Sequence, residues 1–86
     1  MADKLQLEAP ARRWLDSASP QQRAHAITMI REIMRDPSVD GIRKFHLPRY
    51  LPSVRYAYIS DFCEVVYHVD GDGVVHIAAI RWRTRH

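Results

Sequence analysis

The hydrophobic pattern of this 86-residue chain changes its period near the middle, and that change limits the folds open to it. From Pro20 to Arg35 the apolar residues recur every three or four positions, which is typical of a helix with one buried side. After Asp40-Gly41 they alternate with polar residues, which is typical of strands. The chain is too short for a second folding unit. The sequence therefore predicts one α+β domain over residues 1–86.

Two helices with almost no loop between them are predicted in the first half. The first begins near Pro10, because proline suits the first turn of a helix. The second begins after Ser19, whose side chain can cap it, and ends at Asp36, because Pro37 forces the preceding residue out of the helical region. A short strand, indicated by the leucines at positions 5 and 7, precedes this helical hairpin.

Three strands are predicted in the second half, at residues 54–59, 62–69 and 74–82. Ser60-Asp61 separates the first two, and Asp70-Gly71-Asp72-Gly73 has the composition of a hairpin loop. The segment 42–47 is ambiguous, because prolines at 48 and 52 interrupt the residues after it. We therefore expect the order β-α-α-β-β-β, with an N-terminal helical hairpin packed on one face of a small antiparallel sheet. The N-terminal strand can join that sheet.

The last hairpin carries enough pattern to predict its register. A three-residue loop at 71–73 places Asp70 opposite Val74, and the other pairs follow from this one. One face is then almost wholly apolar and is expected to meet the helices: Cys63, Val65, Tyr67, Val69, Val75, Ile77, Ala79 and Arg81. The other face mixes charged, imidazole and aromatic groups, as binding surfaces do: Phe62, Glu64, Val66, His68, His76, Ala78, Ile80 and Trp82.

The formal net charge of +3 conceals an uneven choice of basic residues, since 11 of the 13 are arginines. Arginine grips phosphates and carboxylates with a planar fork of donors, so this bias suits an anionic partner, although a GC-rich genome produces the same bias. No apolar run approaches the ~18 residues of a membrane span, and the first ten residues show no basic-then-apolar signal pattern, so we expect no export. We therefore expect a cytoplasmic protein, in which the single Cys63 is a packing residue.

Residues 1–36 balance six basic residues against five acidic ones. The excess positive charge comes from basic residues in two later segments, and the acidic residues 61, 64, 70 and 72 lie between these segments. These basic residues are Arg43, Lys44, Arg49 and Arg55 in the first segment, and Arg81, Arg83 and Arg85 in the second. The strands that carry Arg55 and Arg81 both border the middle strand of the meander, so we expect them to approach one end of the sheet, near Trp82. Such a basic, aromatic surface suits phosphates and unpaired bases. The alternative is a solvated edge whose arginines discourage association between sheets.

Two features of the sequence could indicate a metal site, but neither is sufficient to predict one. The loop Asp70–Gly73 resembles the start of a calcium-binding loop, but the twelfth position, where glutamate is needed, is Arg81. His68 and His76 face each other in the predicted register, but two histidines do not complete a zinc site. We expect no metal and no other cofactor.

The order of these elements resembles the RelE/ParE toxin superfamily. The clearest pieces are the stretch from Arg31 to Pro37, Arg55, the strand Val65-Val66-Tyr67 with its Asp70-Gly71 turn, and the arginine-rich last strand. The resemblance covers almost the whole chain and implies the toxin of a type II toxin–antitoxin pair, which a small cognate antitoxin holds inactive. The RelE-like branch cleaves mRNA on the translating ribosome, whereas the ParE-like branch inhibits DNA gyrase and is not a nuclease.

The resemblance also implies functional residues, as scattered basic groups rather than a fixed triad. The matching positions are Lys44, Arg55, Arg81 or Arg83, and His86. Glu64 stands where many members carry an arginine, just before the strand at 65–67, and this removes a phosphate-binding charge. Further contacts with RNA are expected from Arg43, Arg49, Tyr56, Arg85 and Trp82.

Three functions remain open on the sequence alone. The favoured one is a ribosome-dependent, metal-independent endoribonuclease. Arginines would hold the phosphate, and Glu64, His86 or Lys44 would move protons during attack by the 2′-OH. The second is a non-enzymatic gyrase inhibitor, and the third is a degenerate member that binds only antitoxin or RNA. The basic stretch 43–55 and His86 favour the first function, whereas Glu64 favours the other two.

Overall fold

The computed structural model describes residues 4–38, 44–47 and 55–83, with the backbone alone at 45–47 and 55. Its elements are β1 (Leu5–Leu7), α1 (Ala9–Ser17), α2 (Pro20–Arg35), β2 (Lys44–Leu47), β3 (Arg55–Ile59), β4 (Cys63–Val69) and β5 (Val75–Trp82). The α+β class and the predicted elements are confirmed, and β2 adds a strand in the ambiguous segment. None of the helices in the described ranges is long and apolar enough to cross a membrane.

The helical hairpin is held together by a cap and by one long side chain. The Ser19 hydroxyl caps α2 by accepting from the backbone N–H of Gln22 at 3.2 Å. Arg23 reaches back across the turn and donates to the carbonyl oxygens of Leu15 and Ala18, at 2.8 and 3.0 Å. Carbonyls at the end of a helix have no partner within it, so Arg23 satisfies the end of α1 and links it to α2.

The five strands lie in the order β1-β5-β4-β3-β2. The pairs from β2 to β5 are antiparallel, as predicted, but β1 pairs with β5 in parallel. The sheet is therefore mixed rather than wholly antiparallel. The reason lies in the connection: both helices and three strands separate β1 from β5 along the chain, so no tight turn dictates an antiparallel direction.

The predicted register of the last hairpin is right near its loop and wrong beyond it. His68 pairs with His76 and Tyr67 with Ile77, as expected. A β-bulge between Val66 and Tyr67 then shifts the pairing by one residue, so that Glu64 pairs with Arg81. The extra residue in β5 reverses which side chains face the helices beyond that point. Ile80 and Trp82 join the helix side and Arg81 leaves it, the opposite of the prediction for these three residues.

The core lies between α2 and the helix-facing side of the sheet. Buried side chains of α2 pack against those of the three central strands: Ala26, Met29, Ile30 and Ile33 against Tyr58, Cys63, Val65, Tyr67, Val75, Ile77 and Ile80. The hydroxyl of the fully buried Tyr67 donates to the carbonyl oxygen of Pro37 at 2.9 Å. Tyr58 donates to the Glu32 carboxylate. These two bonds anchor the end of α2 to the sheet.

Candidate functional site

Arg81 and Arg83 are exposed and lie at one corner of the sheet, where β5 ends beside the turn between β3 and β4. We call the turn residues 60–62 together with Arg81, Trp82 and Arg83 the C-terminal corner. The ladder continues past β5, because the N–H of Arg83 donates to the carbonyl oxygen of Phe62 at 2.7 Å. This bond holds the backbone of Arg83 in a defined position. The corner is therefore a built part of the sheet and not a loose tail.

Arg81 and Glu64 form an ion pair on the face of the sheet away from the helices. Nη2 of Arg81 donates to Oε2 of Glu64 at 2.8 Å, and the two residues are direct cross-strand partners. The arginine side chain is 75% exposed, whereas that of the glutamate is 18% exposed. The guanidinium is thus oriented by a carboxylate and still open to an anion. The one-residue shift at the bulge creates this pair.

Behind the corner, on the helix side, Trp82 packs in an aromatic cluster with His25 and Phe62. The Trp82 and Phe62 rings stack at an interplanar angle of 15°, with centroids 6.1 Å apart. His25 meets both rings edge-on, at 5.6 Å from Trp82 and 6.1 Å from Phe62. Nε2 of His25 lies 3.0 Å from Oγ of Ser60. Sequence reasoning placed Trp82 on the opposite face and missed His25, because 35 residues separate His25 from Ser60.

The predicted site residues Lys44 and Tyr56 lie on the helix side of the sheet, away from the corner. The ammonium of Lys44 donates to the carbonyl oxygen of Asp36, at the end of α2, and lies 5.3 Å from the centre of the Tyr58 ring. The Tyr56 ring is 5.5 Å from that of Tyr67, beside the core. Lys44 therefore links the sheet to the end of α2, and Tyr56 packs against a neighbouring strand beside the core.

The register also separates Arg55 from the C-terminal arginines, contrary to expectation. β3 starts at Arg55 and runs towards the corner, where Ile59 pairs with Glu64. Four residues of strand place the Arg55 backbone about 13 Å from that level of the sheet. The backbone of Arg55 thus lies at the end of the sheet opposite Arg81 and Arg83, whereas Lys44 pairs with Tyr58, nearer the corner end. The side chain of Arg55, and all of Arg43, Arg49, Arg85 and His86, lie outside the described residues.

A second polar cluster lies at the other end of the outer face, near the backbone of Arg55. The rings of His68 and His76 stack in parallel planes with centroids 4.5 Å apart. Nε2 of His76 lies 2.8 Å from Oδ2 of Asp70, and Oδ1 accepts from the backbone N–H groups of Asp72 and Val74. The hydrogen bond with His76 is the main reason that the pKa of Asp70 is lowered. In the part of the chain that the structure describes, no three His, Cys, Asp or Glu side chains converge as a metal would require.

Comparison with known structures identifies the class of fold. The chain has the RelE fold, so the resemblance inferred from the sequence is confirmed at that level. It superposes on the RelBE2 toxin–antitoxin complex of Mycobacterium tuberculosis with a TM-score of 0.78, 19% identity, and coverage of 96% of this chain and 100% of that one. The archaeal RelE–RelB complex of Pyrococcus horikoshii OT3 gives a TM-score of 0.74 and 16% identity, with full coverage of both chains. The isolated Escherichia coli RelE toxin gives a TM-score of 0.74 and 17% identity, with coverage of 99% of this chain and 88% of that one.

At the level of sequence, neither a protein-family model nor a curated protein matches the chain. The structural likeness at 16 to 19% identity therefore concerns the arrangement of the backbone. The roles of the side chains have to be argued from this protein's own residues.

Proposed function

We propose that this protein is the toxin of a type II toxin–antitoxin pair and cleaves mRNA on the translating ribosome. The observation that carries the proposal is an oriented, exposed arginine, Arg81, at the corner of a RelE fold that extends over the whole chain. An anion at this corner meets Arg81 and the neighbouring Arg83. Two of the solved relatives are complexes of RelE with RelB, so a small antitoxin is the partner we propose here. The protein would act in the cytoplasm, where the ribosomes are.

The chemistry needs a base, a cation and an acid, and the ion pair of Glu64 and Arg81 offers the first two side by side. In the proposed step the 2′-oxygen attacks the adjacent phosphorus, and the bond to the 5′-oxygen breaks. The products are a 2′,3′-cyclic phosphate and a 5′-hydroxyl. Arg81 stabilises the charge that develops on the phosphate, and the Glu64 carboxylate at 2.8 Å from it accepts the proton from the 2′-OH.

The leaving 5′-oxygen requires a proton, and His86 is the group that the sequence predicts for this role. Lys44 is engaged at the end of α2, so its contacts do not favour a part in proton transfer. Arg55, about 13 Å along β3 from the corner, is better suited to a different phosphate of the same RNA strand. In this proposal Arg81, Glu64 and His86 take part in the reaction, whereas Arg55 holds another part of the RNA strand.

A translating-ribosome assay with the purified protein tests the proposal. The expected result is a set of mRNA cuts at positions fixed by the reading frame, which primer extension detects. Arg81→Ala should lower the cleavage rate about 100-fold, because a preorganised group that stabilises developing charge contributes about that much. Arg12→Ala removes an exposed arginine of α1 and is the matched control, with cleavage at the parent's rate. Circular dichroism should show all three proteins equally folded.

One observation favours the alternative of a non-enzymatic gyrase inhibitor: Glu64 occupies a donor of Arg81 and offsets its positive charge. A gyrase supercoiling assay with the same preparations separates the two functions. Lost supercoiling with intact mRNA would establish the inhibitor and overturn the nuclease. RNA or antitoxin binding with neither activity would identify a degenerate member.

A further inference from the structure

The largest exposed apolar side chain at the C-terminal corner is Phe62. Nearly half of its surface, 49%, is accessible, and Leu5 is the other large hydrophobic residue exposed within the described ranges. The Phe62 ring is not loose, because Trp82 stacks on it and the edge of His25 contacts both rings. An aromatic ring that is held in place and still exposed is typical of a binding surface.

Phe62 forms one wall of a groove of about 370 Å³ at the end of the sheet, beside His25 of α2. The other walls come from His25, Ile59, Ser60, Asp61 and Arg83. Several of them are fixed by hydrogen bonds: Ser60 lies 3.0 Å from His25, and its hydroxyl oxygen accepts from the N–H groups of Phe62 and Cys63. The groove is thus already shaped before any ligand arrives, and its volume lies in the range of small-molecule sites.

The groove combines an aromatic face with a guanidinium group. Arg83 is exposed, and its single side-chain contact in the described structure is a long one, 3.4 Å from Nη1 to the carbonyl oxygen of Ser60. The 2.7 Å bond from its backbone N–H to the carbonyl oxygen of Phe62 places the two residues opposite each other, and both line the groove. A flat aromatic surface beside an exposed arginine matches a nucleobase with its phosphate. An acidic peptide would use the arginine but not the stacking surface.

We propose that this groove binds one unpaired nucleotide of RNA, with its base stacked on Phe62 and its phosphate on Arg83. The inference rests on the proposed function in that RNA is taken as the substrate, and it adds a second subsite to the outer-face pair of Glu64 and Arg81. Arg81 and Arg83 are two residues apart along one strand direction, which is about 6.6 Å. The two subsites therefore hold neighbouring parts of one RNA strand at the same end of the sheet.

The test uses a short single-stranded RNA that contains 2-aminopurine and 2′-O-methyl groups, so that it fluoresces and resists cleavage. The purified full chain, without ribosomes, should quench the fluorescence, because stacking on an aromatic ring does so. Phe62→Leu should weaken binding about tenfold and abolish the quenching, since it removes the stacking surface. Phe62→Tyr keeps an aromatic face and should retain both. Arg83→Gln should weaken binding and lower the salt slope by about 0.7.

Each of three results would overturn the subsite. One is a parent protein that does not quench the probe at RNA concentrations up to about 1 mM. Another is a Phe62→Leu variant that quenches and binds like the parent. A third is displacement of the RNA by polyglutamate with equal potency from the parent and from Phe62→Leu, which would identify a site for charge alone. Because Phe62 is half-exposed, each variant should fold, and thermal unfolding checks this.

The mRNA cleavage assay keeps this inference separate from the proposed function. A parent that cleaves mRNA but does not quench the probe would remove the subsite and leave the nuclease in place. Quenching that depends on Phe62, in a protein that leaves mRNA intact, would establish the subsite and remove the nuclease.

Discussion

The buried thiol of Cys63 should make this domain less stable at high pH, by an amount that depends on its surroundings. Cys63 is fully buried at the start of β4, and burial, with a smaller effect of the Glu64 carboxylate, raises the pKa of its thiol from 9.0 to about 11. Below pH 9 the thiol is protonated in the folded and the unfolded chain alike. Between pH 9 and 11 the unfolded chain loses this proton and the folded protein keeps it, so rising pH favours unfolding.

The size of the effect can be worked out from the same two pKa values. Each unit of pKa difference corresponds to about 1.4 kcal/mol, so ionisation of the thiol removes about 2.3 kcal/mol of the free energy of unfolding by pH 11 and about 2.7 kcal/mol at still higher pH. At about pH 10.5 the loss is about 1.9 kcal/mol. A domain of this size has on the order of 10 kcal/mol of stability in total, so the loss is readily measurable.

The loss of stability is measured by urea unfolding of the parent and of Cys63→Ala, in reducing buffer at a series of pH values. Tyrosines and lysines titrate in the same range, and the difference between the two proteins removes their contribution. At neutral pH the variant should be less stable by about 1–2 kcal/mol, because the smaller side chain leaves a cavity. That difference should shrink above about pH 9 and close or reverse near about pH 10.5. Parallel pH profiles for the two proteins would show that the buried thiol does not resist ionisation, and would refute the argument.

Three further predictions concern single contacts. Since the pKa of Asp70 is lowered in the folded protein, its contribution to stability is complete above the ordinary value of 3.8 and is lost as the pH falls through the folded value. For Asp70→Asn, the free energy of unfolding in urea should therefore fall less steeply at acid pH than for the parent, and an unchanged pH dependence would contradict this. Tyr67→Phe removes a hydroxyl bonded to a backbone carbonyl and should cost about 1 kcal/mol in the same assay, whereas no loss would mean that the bond contributes nothing. Glu64→Gln should release Arg81, steepening the salt dependence of binding to uncleavable RNA by up to about 0.7 while slowing cleavage; faster cleavage would exclude the carboxylate as the base.

Local pattern was sufficient for much of the fold. The helix from Pro20 to Arg35 could be predicted with both of its ends, because a capping serine and an Asp-Pro pair act on their immediate neighbours. The pairing of His68 with His76 could be predicted from the length of the Asp70–Gly73 loop, in which Gly73 adopts a φ of +81° that favours glycine. These features depend on residues only a few positions apart.

The candidate site was less accessible, because its geometry depends on long-range packing. The bulge at Val66 and Tyr67 places Ile80 and Trp82 under the helices and leaves Arg81 on the outer face, and no turn signal in the sequence indicates it. The position of the bulge depends on which side chains of β5 the helices bury, so it could not be predicted before the helices were placed against the sheet. The separation of Arg55 from the corner, by contrast, already follows from the predicted turn at Ser60-Asp61, because the start of an antiparallel strand lies far from the turn that ends it.

The sequence by itself thus determined the α+β class, the helix caps, the hairpin loop and the concentration of net positive charge in two segments, since each of these is a property of neighbouring residues. Only the tertiary structure decided which charges and rings share a surface. It joined Arg81 to Glu64, brought His25 across 35 residues to Ser60, and placed Phe62 beside Arg83. The physical reason is that the register of a sheet depends on which side chains the helices can bury, and a shift of one residue moves every later side chain to the other face.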